Sequence, residues 1–179
     1  MIAISELQRE RAKFQPQLPA SLAAQGASIS ATKNEILLPD TDREELQNLF
    51  PNTYGLPVMT FDGSESLAAS EPITVGVILS GGQAPGGHNV IAGIYDGLKS
   101  LNKSNRLFGF LGGPRGLLER NYTELTADIV DAYRNTGGFD IIGSGRDKIE
   151  SDDEVAAALD SCKVLGVKAL VIIGGDDSN

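Results

Sequence analysis

Three short stretches hold the residue types that could do chemistry, and each sits where an apolar run gives way to glycine. The first is Ser80-Gly-Gly-Gln-Ala-Pro-Gly-Gly-His-Asn89. Glycines here let backbone N–H groups turn toward an oxyanion, and a helix starting at this turn adds its partial positive N-terminus. The second is Gly143-Ser-Gly-Arg-Asp-Lys148. Arg146 and Lys148 could neutralise phosphate there, Arg146 with two-point geometry, and Arg115 is a further cation of the same kind. The third is Gly174-Gly-Asp-Asp-Ser178. Carboxylates at the end of an apolar strand suit Mg²⁺ held through one carboxylate plus water and substrate phosphates. Neighbouring side chains on extended backbone point apart, so Asp176 and Asp177 are expected to have different tasks.

Each motif also has a plainer reading. The first can also be read as a tight strand-to-helix connection without a ligand, and the others as polar turns. Two stronger patterns are excluded. Gly81 and Gly86 have Walker spacing, but Gly87-His88 stand where Lys-Ser/Thr is required, and the dinucleotide G-x-G-x-x-G is absent. His88 is read as a residue that caps or packs at a helix start, and Cys162 as a core residue on a helix face.

The elements that must position these motifs begin at Ile73. Ile73–Leu79 is nearly all apolar, as a central parallel strand covered on both faces should be. A helix follows over about Gly87–Leu101, with Val90, Ile91, Ile94 and Leu98 at helical spacing. Arg106–Phe110 reads as a second strand, then a helix over about Thr123–Arg134 with Leu125, Ile129 and Tyr133 on one stripe. Phe139–Ile142 reads as a third strand. Ser151-Asp-Asp-Glu154 is a capping box opening a helix to about Leu165, with Val155, Leu159 and Cys162 inward. Val167–Ile173 is the fourth strand. The fold class is therefore α/β: a parallel sheet with flanking helices and right-handed crossovers. Ligands of such sheets bind beyond the carboxyl ends of the strands, where all three motifs lie.

Residues 1–72 read as an irregular and helical N-terminal extension laid over another surface, without a core of its own. A helix is expected within Ile2–Phe14. Thr41-Asp-Arg-Glu44 reads as a capping box for a helix over about Asp42–Phe50, stopped by Pro51. Asn52–Pro72 is expected to be mostly irregular.

Bulk composition narrows the function classes. The chain has 179 residues and a net charge of −9, which argues against a nucleic-acid surface. No apolar run is long enough to span a bilayer, so no membrane partner is expected. A single cysteine rules out an intrachain disulfide and suits a reducing, cytoplasmic setting.

Four segments in order, SGGQAPGGHNVIAG, GFLGGPRGLLE, YRNTGGFDIIGSGRDKIES and VIIGGDDSN, resemble the phosphofructokinase family. They look most like its long, pyrophosphate-dependent branch of plants and bacteria. The resemblance covers about residues 73–179 and implies a role for each matched position. Gly82 would contact the phosphoryl donor, Asp176 would bind the catalytic Mg²⁺, and Arg146 would be a donor-side arginine. Asp177 would stand where ATP-using relatives carry glycine, excluding ATP's α-phosphate and leaving room for pyrophosphate. Gln83 likewise matches the pyrophosphate branch.

The reaction implied is phosphoryl transfer from pyrophosphate to the 1-hydroxyl of fructose 6-phosphate, with an ATP-dependent kinase or a non-catalytic module of the same fold as the alternatives. A homo- or hetero-oligomer is implied for the full-length form. The family's catalytic base lies in a T-x-D motif after the GGDDS turn. The chain is therefore expected to be the donor half, residues 73–179 forming a partial domain that is inactive alone.

Overall fold

The computed structural model describes residues 5–19, 28–64, 71–175 and 178. The chain divides into two compact units, one of Met1–Pro16 with Ala69–Asn179 and the other of Gln17–Ala68.

In the smaller unit, β1 (Ser28–Lys33) pairs antiparallel with β2 (Met59–Ser64). The register sets Ala31 against Phe61 and Thr32 against Thr60. Ile29, Ala31, Met59 and Phe61 therefore share one face, and Ser30, Thr32, Thr60 and Asp62 the other. The stretch after Asn52 is thus less irregular than expected, since the alternation Met-Thr-Phe-Asp at 59–62 builds a strand. Helix α2 (Arg43–Leu49) ends ahead of Pro51 as expected, but the Thr41 capping box does not form. Its N-cap is Asp42 at φ 55°, whose side chain makes no capping hydrogen bond. A capping side chain reaches the N3 amide only from extended backbone, and Asp42 is left-handed.

The larger unit opens with α1 (Glu6–Lys13), capped reciprocally by Ser5 and Gln8. Its sheet has the order β5 (Tyr122–Glu124), β4 (Arg106–Phe110), β3 (Thr74–Leu79), β6 (Val167–Ile173). β3 is central and parallel to both β4 and β6. Its alternate residues feed two cores, as a strand covered on both faces must. Val75, Val77 and Leu79 pack with Ile91 of α3 (Gly87–Leu101) and Val130 of α5 (Ala127–Tyr133). On the other face, Ile78 and Phe110 pack with Leu117 of α4 (Pro114–Glu119), Ala158 and Cys162 of α6 (Asp152–Leu165) beside them. Asn105, 1% exposed, ties the layers together: its amide donates to Leu98 O at the end of α3 and its carbonyl accepts from Ile73 N–H. Among the described residues no helix is long and apolar enough to cross a membrane.

The sheet differs from the sequence expectation in two places. β5 (Tyr122–Glu124) is an antiparallel edge strand on β4, where a helix was expected to start. The helix begins at Ala127, after Leu125 has been buried at 1% exposure. Phe139–Ile142 is not a strand. Phe139 and Ile142 are apolar because they enter the core, at 6% and 3% exposure. The N–H groups of Asp140 and Ile141, which a ladder would use, donate to the His88 ring instead. Only Gly145 makes a strand-like bridge, to Ser80.

The Ser151–Glu154 capping box forms as expected. The inner face of α6, however, is rotated. Ala158, Cys162 and Leu165 face the core, while Val155 and Leu159 are exposed at 44% and 55%. Arg120 holds Ser161 fully buried through Nε–H donating to Oγ, and pairs with Asp160, which fixes that rotation.

Candidate functional site

β3, the 143–148 segment and β6 end side by side, and short backbone bonds join their tips. Ser80 N–H donates to Ile173 O at 2.8 Å, and Gly81 N–H to Gly145 O at 2.7 Å. Ser178 Oγ lies 3.0 Å from Ser80 Oγ. The two outer glycine turns therefore meet in space, which their separation in sequence left open. Between them lies a cavity of about 610 Å³ walled by the glycine loop, by Arg146–Lys148, and by Gly174, Gly175 and Ser178.

Helix α3 starts at the edge of this cavity. Its N-cap is Gly86 at φ 96°, a left-handed position suited to glycine, and no side chain caps the helix. The amides at the helix start are instead taken by backbone oxygens, His88 N–H donating to Gly138 O and Asn89 N–H to Gly86 O, each at 3.0 Å, so what the helix end offers the cavity is its partial positive charge. Gly82, Arg146 and Lys148 line the cavity. The Arg146 guanidinium lies directly over Gly82, where a Cβ would come within 3.0 Å of Nη2. Lys148 Nζ is 3.4 Å from Glu150 Oε1, both strongly exposed, a pair too solvated to hold the amine. Gln83 is exposed and does not line the cavity.

Arg115 is not a free phosphate cation. Its Nη2 and Nε donate to Asp147 Oδ1 at 2.8 and 3.1 Å. That hydrogen bonding holds the Asp147 carboxyl below the usual carboxylate range. Asp147 also lines the cavity, so this pair sets the charge that a ligand would meet. Sequence reasoning passed over Asp147. Its position between two cations, in a glycine-rich turn, was the available signal.

His88 is 3% exposed. Its Nδ1 lies 2.7 Å from Thr136 Oγ1, and its Nε2 accepts from the N–H groups of Asp140 and Ile141 at 2.9 and 3.0 Å. Burial pushes the imidazole pKa below its ordinary value, opposed by the Asp140 carboxylate. It packs at the helix start, as expected. Burial pushes the half-buried Cys162 thiol up, in keeping with a core residue.

Asp176 and Asp177, the expected metal ligand and donor filter, lie outside the described residues. Among the described residues no group of three or more His, Cys, Asp or Glu could hold a metal ion. What the described part of this corner offers is oxygen: the Ser80 and Ser178 hydroxyls. That chemistry fits a hard cation that keeps water and phosphate in its coordination shell.

Residues 74–179 match the family model described as phosphofructokinase. A pyrophosphate–fructose 6-phosphate 1-phosphotransferase of Porphyromonas gingivalis is 52% identical over 99% of this chain and 32% of its own length. The beta subunit of the Ricinus communis enzyme of that name is 45% identical over 98% of this chain and 32% of its own. The chain thus spans about a third of the length of the curated relatives it matches. Among solved structures, the pyrophosphate-dependent phosphofructokinase of Nitrosospira multiformis superposes with a TM-score of 0.53 over 62% of this chain and 28% of that one. At 21% identity that likeness concerns the fold alone.

Proposed function

The chain belongs to the phosphofructokinase family, and we propose that it carries the phosphoryl-donor part of a pyrophosphate-dependent fructose-6-phosphate 1-phosphotransferase. The observation that supports this most directly is the meeting of Ser178 with Ser80 and of Arg146 with Gly82 around one cavity. It brings the positive end of a helix, two cations and two hydroxyls to one place, which suits a pyrophosphate site.

In the reaction, the 1-hydroxyl oxygen of fructose 6-phosphate forms a bond to one phosphorus of pyrophosphate. The bond from that phosphorus to the bridging oxygen breaks, orthophosphate leaves, and the hydroxyl proton is released. Such transfer needs positioning and charge neutralisation more than covalent help. Gly82 lets the donor approach the backbone. Arg146 and Lys148 balance its negative charge. Mg²⁺, held through Asp176, would supply further neutralisation of the phosphate oxygens. Asp177 would act as the filter against ATP by occupying the space and charge of the α-phosphate. Among the described cavity residues none is placed as the base for the sugar hydroxyl, since Asp147 is engaged by Arg115. The lone cysteine of the chain suits the cytoplasm. Assembly with like or unlike subunits is part of the same reading, given a relative named as a beta subunit.

The deciding experiment is a calorimetric titration with pyrophosphate and with ATP, each with Mg²⁺. Pyrophosphate should bind saturably and ATP should not, and Asp177→Gly should weaken pyrophosphate and admit ATP. Tighter binding of ATP than of pyrophosphate by the unmodified protein would overturn the proposal.

A further inference from the structure

His88 lies outside the donor cavity yet joins its two sides. The residue before it, Gly87, lines the cavity, and His88 itself opens α3. Its ring grips the segment that runs on to Arg146. Thr136 Oγ–H donates to Tyr133 O at 2.6 Å, so Thr136 Oγ1 is the acceptor for Nδ1–H. That fixes the neutral tautomer with the proton on Nδ1 and the lone pair on Nε2. The lone pair receives both the Asp140 and the Ile141 N–H. His88 N–H adds a bond to Gly138 O at 3.0 Å. Four residues beyond Ile141, Gly145 O receives Gly81 N–H, and Arg146 then lies over Gly82.

The same nitrogen has a second partner. Asp140 Oδ1 is 2.9 Å from Nε2. A carboxylate oxygen and a lone pair at that distance repel, while a protonated Nε2 donates to the carboxylate. Protonation therefore trades two backbone bonds for one side-chain ion pair. The other charged and titratable groups beside the ring are accounted for. The Tyr133 ring stands edge-on, with centroids 4.9 Å apart. Arg134 is committed to Asp96 and Asp131.

Resting on the reading of the cavity as a pyrophosphate site, we propose that neutral His88 is a positioning residue for it. The imidazole clamps the 138–141 segment to the start of α3 and so sets Arg146 over Gly82. When the ring is protonated, the clamp opens and pyrophosphate binding weakens.

His88 is the only histidine of the chain, so its ring signals in NMR are unambiguous. A titration over about pH 5 to 8 should show the Nδ1–H tautomer at the upper end. The amides of Asp140, Ile141, Arg146 and Gly81 should shift with the midpoint of the ring. In His88→Gln, whose side-chain carbonyl supplies an acceptor that does not titrate, those amides should stay constant. Pyrophosphate affinity should match the parent protein at neutral pH and fall less steeply toward acid, keeping only the part that comes from protonation of pyrophosphate itself. His88→Leu, which removes the acceptor, should bind pyrophosphate roughly tenfold more weakly.

Gly81 and Arg146 amides that stay still through the midpoint of the ring would overturn the proposal. So would a leucine variant that binds as tightly as the parent protein. If no form binds pyrophosphate, the assignment of the cavity fails, and co-titration of the amides still decides the clamp.

Discussion

Ser178 Oγ and Ser80 Oγ stand 3.0 Å apart although 98 positions separate them in the chain. The bond joins the turn after β3 to the turn after β6 at the mouth of the cavity. Both residues are only half-buried, so the contact has little bearing on global stability and much on where the hydroxyls point. Ser178→Ala should leave the unfolding midpoint within about 0.5 kcal/mol of the parent protein. It should weaken pyrophosphate binding by up to about tenfold, the range of one hydrogen bond. Calorimetry on the pair of proteins, with denaturant unfolding beside it, separates the two effects.

Three glycines, Gly82 and Gly87 in the cavity wall and Gly113 against the backbone of Gly145, should respond differently to an added methyl group. At Gly82 the methyl would meet only Arg146 Nη2 at 3.0 Å, the far end of a flexible side chain. Gly82→Ala should therefore fold normally and bind pyrophosphate poorly, because the guanidinium must move. At Gly87 the methyl would stand 2.2 Å from a ring carbon of Phe139, which is packed in the core. At Gly113 it would stand 2.4 Å from Gly145 N, and the backbone there is at φ 87°. Those two variants should lose about 2 kcal/mol or more of stability. Urea midpoints test the ranking, with Gly82→Ala within about 0.5 kcal/mol of the parent.

Stability should rise with pH through the titration of His88. Its pKa in the folded protein lies below the ordinary value of 6.5, with burial as the main cause and Asp140 as the opposing one. Between the two values the unfolded chain binds more protons than the native one, so the slope of stability against pH is positive. The contribution is complete above about pH 6.5 and is lost as pH falls through the folded value. Other groups titrate in the same range of acid, so the quantity to measure is the difference between the parent protein and His88→Gln. That difference should shrink on acidification. A constant difference from neutral pH down to about pH 5 would show that His88 has no lowered pKa.

The sequence patterns that proved legible were those in which one physical demand dominates. The strands at 106–110 and 167–173, the helix at 87–101 and the Ser151–Glu154 capping box follow from unbroken apolar runs, helical spacing and a specific cap. Phe139–Ile142 misled because burial and strand pairing produce the same apolar run. Only the location of its amides, on a histidine about 50 positions upstream, distinguishes them. The inner face of α6 misled for a related reason. Val155 and Leu159 have the right period, but the buried Ser161 held by Arg120 decides the rotation. In the site, the glycines and Arg146 could be named from motif chemistry. The engagement of Arg115 by Asp147 could not, because nothing local links positions 32 residues apart.

That engagement leads to a prediction about charge. An anion in the cavity faces Arg146, Asp147 and Lys148. Asp147 would repel it, were its charge not shared with Arg115 through two bonds to one oxygen. Arg115 is itself largely exposed and packs against little, so its removal should change binding rather than folding. Arg115→Ala should weaken pyrophosphate binding several-fold by freeing the Asp147 carboxylate. Asp147→Asn should be neutral or favourable on its own, since it removes the repulsion at its source. In the double variant the penalty of the arginine deletion should largely disappear. A purely additive cycle, with the arginine loss undiminished in the asparagine background, would mean that Arg115 acts on the donor directly and not through Asp147. Salt provides the second arm of the test. The defect of Arg115→Ala should shrink as ionic strength rises, because an exposed carboxylate is screened within about 10 Å at moderate salt.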